Sequence, residues 1–221
     1  INLRACIFNN SKTSDVLILA RTLMNNNRVC IGGFSYQENR YIRLLNENGY
    51  PLDNTISFKI GEIYEICYQP RQEIDLPHSE DILVKSFELK SELDKEDFLQ
   101  FIGNLAVNIT HITKLFNDGI EWDNQHGYLP FSTNLPCKYS VIIARLGHDL
   151  YRSKIDEQYF YYKDLNRNLT FQVKYVGEND ISGIKVIKAD TPIRFSLARW
   201  WDGSGRYNPK RSYLQLSGFY N

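Results

Sequence analysis

Apolar and polar residues alternate in short runs over most of the chain, and clusters of turn-forming residues separate the runs. Asp15 to Leu23 is rich in Val, Ile and Leu and reads as a strand. Asn25-Asn26-Asn27 follows, three short amides that tolerate left-handed turn geometry, and Arg28 to Tyr36 reads as the returning strand of a hairpin. Tyr41 to Leu45 adds a third strand after the turn-forming pair Glu38-Asn39, and Glu62 to Tyr68 adds a fourth just after Gly61. Strands this short and this closely spaced predict a small β-barrel.

From Asp94 to Asp118 the period changes. Phe98, Ile102, Leu105, Ile109, Ile112 and Phe116 recur three or four apart and predict one long helix, with Asp94 as its cap, Asp97 in its first turn and Gly119 as its stop. Its apolar stripe reads as a packing face, and His111 within it as a structural or solvated side chain. Beyond Pro130 and Pro136, strands resume at Lys138 to Leu146, Tyr159 to Lys163, Leu169 to Val176, Thr191 to Trp201 and Arg211 to Tyr220. The expected fold is mainly β: two small β-barrels in tandem with one long bridging α-helix. The expected boundaries are a leader segment at 1–14, a first barrel at 15–90, the helix at 91–120 and a second barrel at 121–221.

At 221 residues and 43% hydrophobic content, the chain can bury a sizeable core. Its 26 basic and 26 acidic residues cancel, so the molecule as a whole does not attract polyanions, and any such ligand must be met by a local patch. Residues 191–221 carry Arg194, Arg199, Arg206, Lys210 and Arg211 against Asp202, whereas residues 72–100 carry nine acidic residues against three lysines. Cys6, Cys30, Cys67 and Cys137 form no C-x-x-C pair, which argues against a zinc ribbon or a redox motif. Cys30 and Cys67 lie in apolar strand patterns and read as buried free thiols. No apolar run approaches the roughly 20 residues that span a bilayer, and no cleavable signal precedes the fold. These features point to the cytosol, where the glycosylation patterns at Asn108 and Asn168 carry no meaning.

The segment Arg199-Trp200-Trp201-Asp202-Gly203-Ser204-Gly205-Arg206 holds the most distinctive chemistry. Neighbouring side chains of a strand point to opposite faces, so one of the two indoles looks outward, where a flat ring beside Arg suits base stacking or a protein contact. Strict alternation from Ile193, Phe195 and Leu197 turns Trp201 inward and Trp200 outward, but it also sends Arg199 into the apolar face. A bulge near Ala198 reverses the assignment, so the register stays open. In a nucleic-acid reading Arg199, Arg206, Lys210 and Arg211 hold phosphates, while Tyr213 and the outward indole stack bases. Asp202-Gly203 opens a hairpin turn. The run Tyr159-Phe160-Tyr161-Tyr162 buries two rings and exposes two, unless something covers both faces.

Arg28 and Arg43 flank the hairpins of the first barrel, as phosphate contacts or as ordinary ion-pair partners. Gly32-Gly33 beside them allows a close approach or marks a strand bulge. His78, Glu80 and Asp81, after Pro77, form the densest titratable cluster of the first half. They read as a hydrogen-bonded junction or a ligand contact; a metal-dependent nuclease would use them as ligands and base, but no second cluster of matching type completes such a site. Gly147-His148-Asp149 sits at a strand end, where adjacent residues face each other poorly. No G-x-S-x-G precedes a helix and no P-loop is present, so the reading assigns no catalytic residue, cofactor or metal.

Taken together, Arg28-Val29-Cys30-Ile31-Gly32-Gly33, Tyr41-Ile42-Arg43-Leu44-Leu45 and Pro77-His78-Ser79-Glu80-Asp81-Ile82-Leu83-Val84 resemble the dual OB-containing domain family. The resemblance runs from Asp15 to Asn221. It implies two OB folds in tandem, a nucleic-acid-binding role, and an association with bacterial conflict and phage-defence settings, and it names no catalytic residue. The function expected is therefore a non-catalytic binder of single-stranded or structured RNA or DNA. The alternative is an interaction module that docks an effector protein such as a nuclease or helicase through the acidic stretch, which zero net charge favours.

Overall fold

Val16, Ile18, Val29, Ile31, Ile42, Leu44, Tyr64, Ile66, Tyr68 and Ile82 occupy alternate positions on five strands and meet in one buried core. A second core, gathered around Phe160, Tyr162, Val173, Phe195 and Leu216, forms separately. The computed structural model describes residues 10–24 and 26–221; Asn25 and residues 1–9, with Cys6 and most of the expected leader, lie outside them. The chain divides into two units, Ile1–Gln100 and Phe101–Asn221.

The first unit holds β1 (Lys12–Met24), β2 (Arg28–Ser35), β3 (Arg40–Leu45), β4 (Leu52–Asp53), β5 (Glu62–Pro70) and β6 (Asp81–Glu92). The long β1 pairs with β5 through its first half and with β2 through its second, so the order β1-β5-β6-β3-β2 returns on itself and closes a five-stranded barrel. With β4 set aside as a short addition to β2, this is the 1-2-3-5-4 order of an OB barrel, in which the third and fifth strands run parallel, here β3 and β6. Gly33 explains the tight crossing at the start of the barrel: a Cβ there would lie 2.6 Å from Val16 Cγ1, and β1 bulges between Ile18 and Ala20 opposite it. The glycine pair therefore serves the β1 crossing.

The sequence reading missed β6, because its outer half, Lys85 to Glu92, is charged and exposed and carries no clean alternation. Its inner end is held by charge. Arg43 Nε donates to Asp81 Oδ1 at 2.6 Å and Arg71 Nη1 donates to Asp81 Oδ2 at 2.7 Å, at the point where Arg43 and Asp81 face each other across the parallel pair.

The second unit opens within α1 (Lys95–Leu105), which is capped as expected by Asp94 Oδ1 accepting the Asp97 amide at 2.9 Å. The long bridging helix is not formed. After Leu105 the sequence turns β-branched at Val107, Ile109, Thr110, Ile112 and Thr113, residues that lose side-chain freedom in a helix. Val107–Ile109 becomes β7, Ile112–Lys114 a single 3-10 turn and Leu115–Asp118 a short α2 with Phe116 and Asn117 at positive φ. Ile112 and Phe116 are buried as the spacing required, but from irregular backbone. His111 precedes the 3-10 turn, its Nε2 3.2 Å from Asp164 Oδ2 and its ring edge-on to Tyr162.

The remaining strands are β8 (Glu121–Asp123), β9 (His126–Pro130), β10 (Val141–Leu146), β11 (Leu150–Arg152), β12 (Tyr159–Asp164), β13 (Leu169–Tyr175), β14 (Val186–Ile187), β15 (Pro192–Leu197) and β16 (Arg211–Phe219). Here β10 and β11 share the role of the first strand: β10 pairs with β15 and β11 with β12. Gly147-His148-Asp149 is the break between them, held by Asp149, which accepts the Ala189 amide at 2.8 Å. The series β10/β11, β12, β13, β15, β16 then repeats the OB order, again with a parallel third and fifth pair, β13 and β16. An added hairpin, β8–β9, wedges between these two: β9 pairs with β13 at His126 and with β16 at Tyr128 to Pro130. As a result β13 and β16 meet directly at two register pairs, Lys174 with Gln215 and Tyr175 with Leu216.

Two smaller expectations change. Cys67 is buried and disulfide-bonded, so it is not the free thiol expected, whereas Cys30, partly buried, and Cys137, buried, form no disulfide. Arg194 is buried on the strand face expected to be wet, where its Nη1 donates to Ser217 Oγ at 2.6 Å. Among the described residues no helix is long and apolar enough to cross a membrane.

Removing one partner of a buried ion pair leaves the other charge uncompensated, so Asp81→Ala is expected to cost about 3–5 kcal/mol in chemical denaturation. The first barrel also carries an acid-sensitive contact. Burial alone would raise the Glu38 carboxyl, but Lys12 and Arg40, each 2.6 Å away, more than offset this and hold it at about 2. Its contribution to stability is therefore complete above the ordinary value of 4.5 and lost as pH falls toward 2. Unfolding titrations should show Glu38→Gln with a flatter stability profile across that window.

Candidate nucleic-acid interface

The loop between β15 and β16 is closed at its base by two backbone bonds, Trp201 amide to Arg211 carbonyl at 2.9 Å and the reverse at 2.8 Å. Inside it the Asp202 carbonyl accepts the Tyr207 amide at 2.8 Å and Asp202 Oδ1 accepts the Ser204 amide at 2.9 Å. Gly203 sits at φ 66° with the Tyr207 ring against its α-carbon; a Cβ there would lie 2.5 Å from Tyr207 Cδ2. Glycine thus seats the Tyr207 ring on the loop.

Regular pairing of β15 stops at Leu197, and the indole assignment is the reverse of strict alternation. Trp200 is half-buried against the second core, its ring 5.3 Å from Phe131. Trp201 is the outward ring, 49% exposed, with Tyr207 at 5.6 Å and Tyr213 at 6.0 Å. Burial, then the hydrogen bond with Tyr207, pushes the Tyr213 phenol up, so it stays neutral over the physiological range. Arg206 and Lys210 are exposed, and neither has a salt bridge among the described residues. Arg199 is partly exposed.

Arg211 is not presented to solvent as a phosphate ligand. Its guanidinium lies 4.1 Å from the centre of the Tyr128 ring and 4.0 Å from that of Tyr207, and its Nη1 donates to Asp123 Oδ2 at 2.7 Å. It braces the rings instead.

Beside this loop lies a groove of about 390 Å³ lined by His126, Tyr159, Gln172, Lys174, Tyr207 and Tyr213. It occupies the gap that β9 opens between β13 and β16. From it an aromatic and polar row continues across the outer face of the sheet, because Tyr151, Tyr161, Gln172 and His126 stand opposite one another on four successive strands. Tyr159 and Lys174 form the next row, and Lys163 lies 5.7 Å from the Tyr151 ring centre. Phe160 and Tyr162, between the outward tyrosines, are fully buried.

The first barrel carries a hollow of about 510 Å³ lined by Ser57, Lys59, Glu62, Tyr64, Phe87, Glu88 and Leu89, with two aromatic rings and two carboxylates but a single cation. Leu17, Leu19, Phe34, Leu45 and Asp81 point away from its core, yet all are buried. Arg43 is 8% exposed and engaged by Asp81, which corrects its reading as a phosphate contact. Arg28 is exposed at the start of β2, its Nη1 3.3 Å from the Pro51 carbonyl. His78, Glu80 and Asp81 are buried, the Glu80 carbonyl accepting the Arg43 amide at 2.7 Å. Both Asp81 oxygens are taken by guanidinium groups, so this carboxylate is already engaged and not presented to a metal ion.

A family model for the dual OB-containing domain matches residues 14–219. The chain belongs to that family. No curated protein matches the sequence. OB folds bind oligonucleotides or oligosaccharides on the face of their second and third strands and between the loops joining strands one to two and four to five. In the second barrel of this dual OB chain, those parts are β12, β13, the turn at 153–158 and the tryptophan loop at 198–210.

His126, Tyr151, Tyr159, Tyr161, Gln172, Lys174 and Tyr207 were not singled out as ligands from sequence. Period-two alternation in Tyr159–Asp164 and Leu169–Tyr175 marks an outward face, but nothing local says that those two faces adjoin the tryptophan loop.

The two indoles should separate in a mutational test. Trp200→Ala removes a packed ring and is expected to cost about 3 kcal/mol. Trp201→Ala removes ring contacts with two tyrosines and should cost about 1 kcal/mol, both read from urea melts.

Proposed function

We propose that this chain is a non-catalytic nucleic-acid-binding protein that holds a single strand on the second barrel. The observation that carries the reading is the groove: tyrosine rings, an outward indole and Lys174 share one solvent-open surface at the place where OB folds take their ligands. Trp201, Tyr213 and Tyr159 stack bases, while Lys174, Arg206 and Lys210 meet phosphates. Arg199 lines the base of the same loop, and Trp200 and Arg211 act as its supports. The first barrel serves as scaffold, with Arg28 its exposed contributor. The setting proposed, a bacterial defence or conflict system, follows from the associations of the dual OB resemblance.

A second reading draws on the exposed charged stretch of β6 and the start of α1, which carries Glu88, Glu92, Glu96 and Asp97 together with Leu89, 52% exposed. That surface suits an effector protein, such as a nuclease or helicase, and would be recognised by co-purification that survives nuclease treatment.

Three phosphate contacts imply a log–log salt slope of roughly −2 for a single strand. Fluorescence anisotropy with a labelled oligothymidylate should show this slope, and Lys174→Gln should make it shallower by roughly 0.7. Trp201→Ala with Tyr213→Ala should weaken binding by tenfold or more, since each stacked base gains about 1–3 kcal/mol. A folded protein that binds no strand, or binds equally at all salt concentrations, would overturn the reading.

A further inference from the structure

A smaller hollow of about 150 Å³ adjoins the groove and shares Tyr207 with it. Tyr207, Pro130 and Pro209 contribute flat rings to its lining, and Glu121 and Arg206 contribute charges of opposite sign. Glu121 is exposed on β8 directly opposite Tyr128, whose hydroxyl donates to Glu121 Oε2 at 3.1 Å. That bond steadies the carboxylate and uses one of its roughly four acceptor positions. Arg211 also borders the hollow, but Asp123 answers its charge, whereas Arg206 has no salt bridge among the described residues.

These features constrain an occupant. A carboxylate only accepts, so the occupant must offer N–H donors to Glu121. With the Arg211 charge answered by Asp123, Arg206 is the remaining border cation and offsets Glu121, so a neutral group bearing N–H donors suits the hollow better than a lysine or arginine side chain. The volume and flat rings suit one planar ring system, and Arg206 suits a phosphate attached to it. Among the bases, guanine places two N–H donors, N1–H and N2–H, side by side on its pairing edge. Adenine and cytosine set a donor beside an acceptor there, and thymine or uracil has one donor between two acceptors.

We infer that this hollow reads guanine within the bound strand: Glu121 accepts N1–H and N2–H, Tyr207 and the two prolines flank the ring, and Arg206 meets the adjoining phosphate. The inference rests on the nucleic-acid reading above and adds a base preference to it.

The test compares an oligothymidylate of about eight nucleotides, within the site sizes of OB folds, with versions carrying one central guanine, adenine or inosine. The guanine strand should bind about tenfold tighter than the others, the low end of what a two-donor contact discriminates. Inosine, which lacks the N2 amine, should lose most of that advantage without any change to the protein. With Glu121→Gln all four strands should bind alike, while Glu47→Gln, which removes the same charge from an exposed position on the first barrel, should keep the preference. If oligothymidylate binds but guanine is no better, or if its advantage survives Glu121→Gln, the base-reading inference fails and the binder stands. If the native protein binds none of the four, both fail together.

Discussion

Both barrels depend on one constraint: the fifth strand must return alongside the third, in parallel, for the sheet to close. The two halves meet it by different means. In the first, the joint is locked by the Arg43–Asp81 pair with Arg71 on the second carboxylate oxygen, all gathered where β6 begins. In the second, the joint is prised apart by β9 and kept at two direct pairs. Closure consumes charge in one barrel and leaves a groove in the other.

That difference accounts for the unequal chemistry of the two faces. Once β3 and β6 are clamped, Arg43 and Asp81 are internal, and neither remains for a phosphate or a metal. Where β9 intervenes, His126, Gln172 and Tyr213 are spread along three strand edges instead of being zipped together, and Lys174 is left facing outward beside them. The tryptophan loop closes over the end of this gap because Tyr207 is seated on Gly203 and braced by Arg211.

Much of the β framework was legible because interior residues alternate on short strands and the turns carry Asn and Gly. The long helix was not, since three-or-four spacing persists from Phe98 to Phe116 while β-branching breaks the backbone after Leu105, and spacing alone does not register that cost. The loop from Arg199 to Arg206 stood out by composition. Which of its indoles faces outward depended on where β15 stops pairing, a tertiary matter. Arg43 and Arg211 illustrate the wider limit: a sequence displays a guanidinium, but its partner lies 38 residues away in one case and 88 in the other.

The wedge has a mechanical side. A seam stitched at two points is the most compliant part of a closed sheet, and the groove straddles it. A strand lying there would touch β13, β9 and β16 at once, so it would act as a splint across the joint.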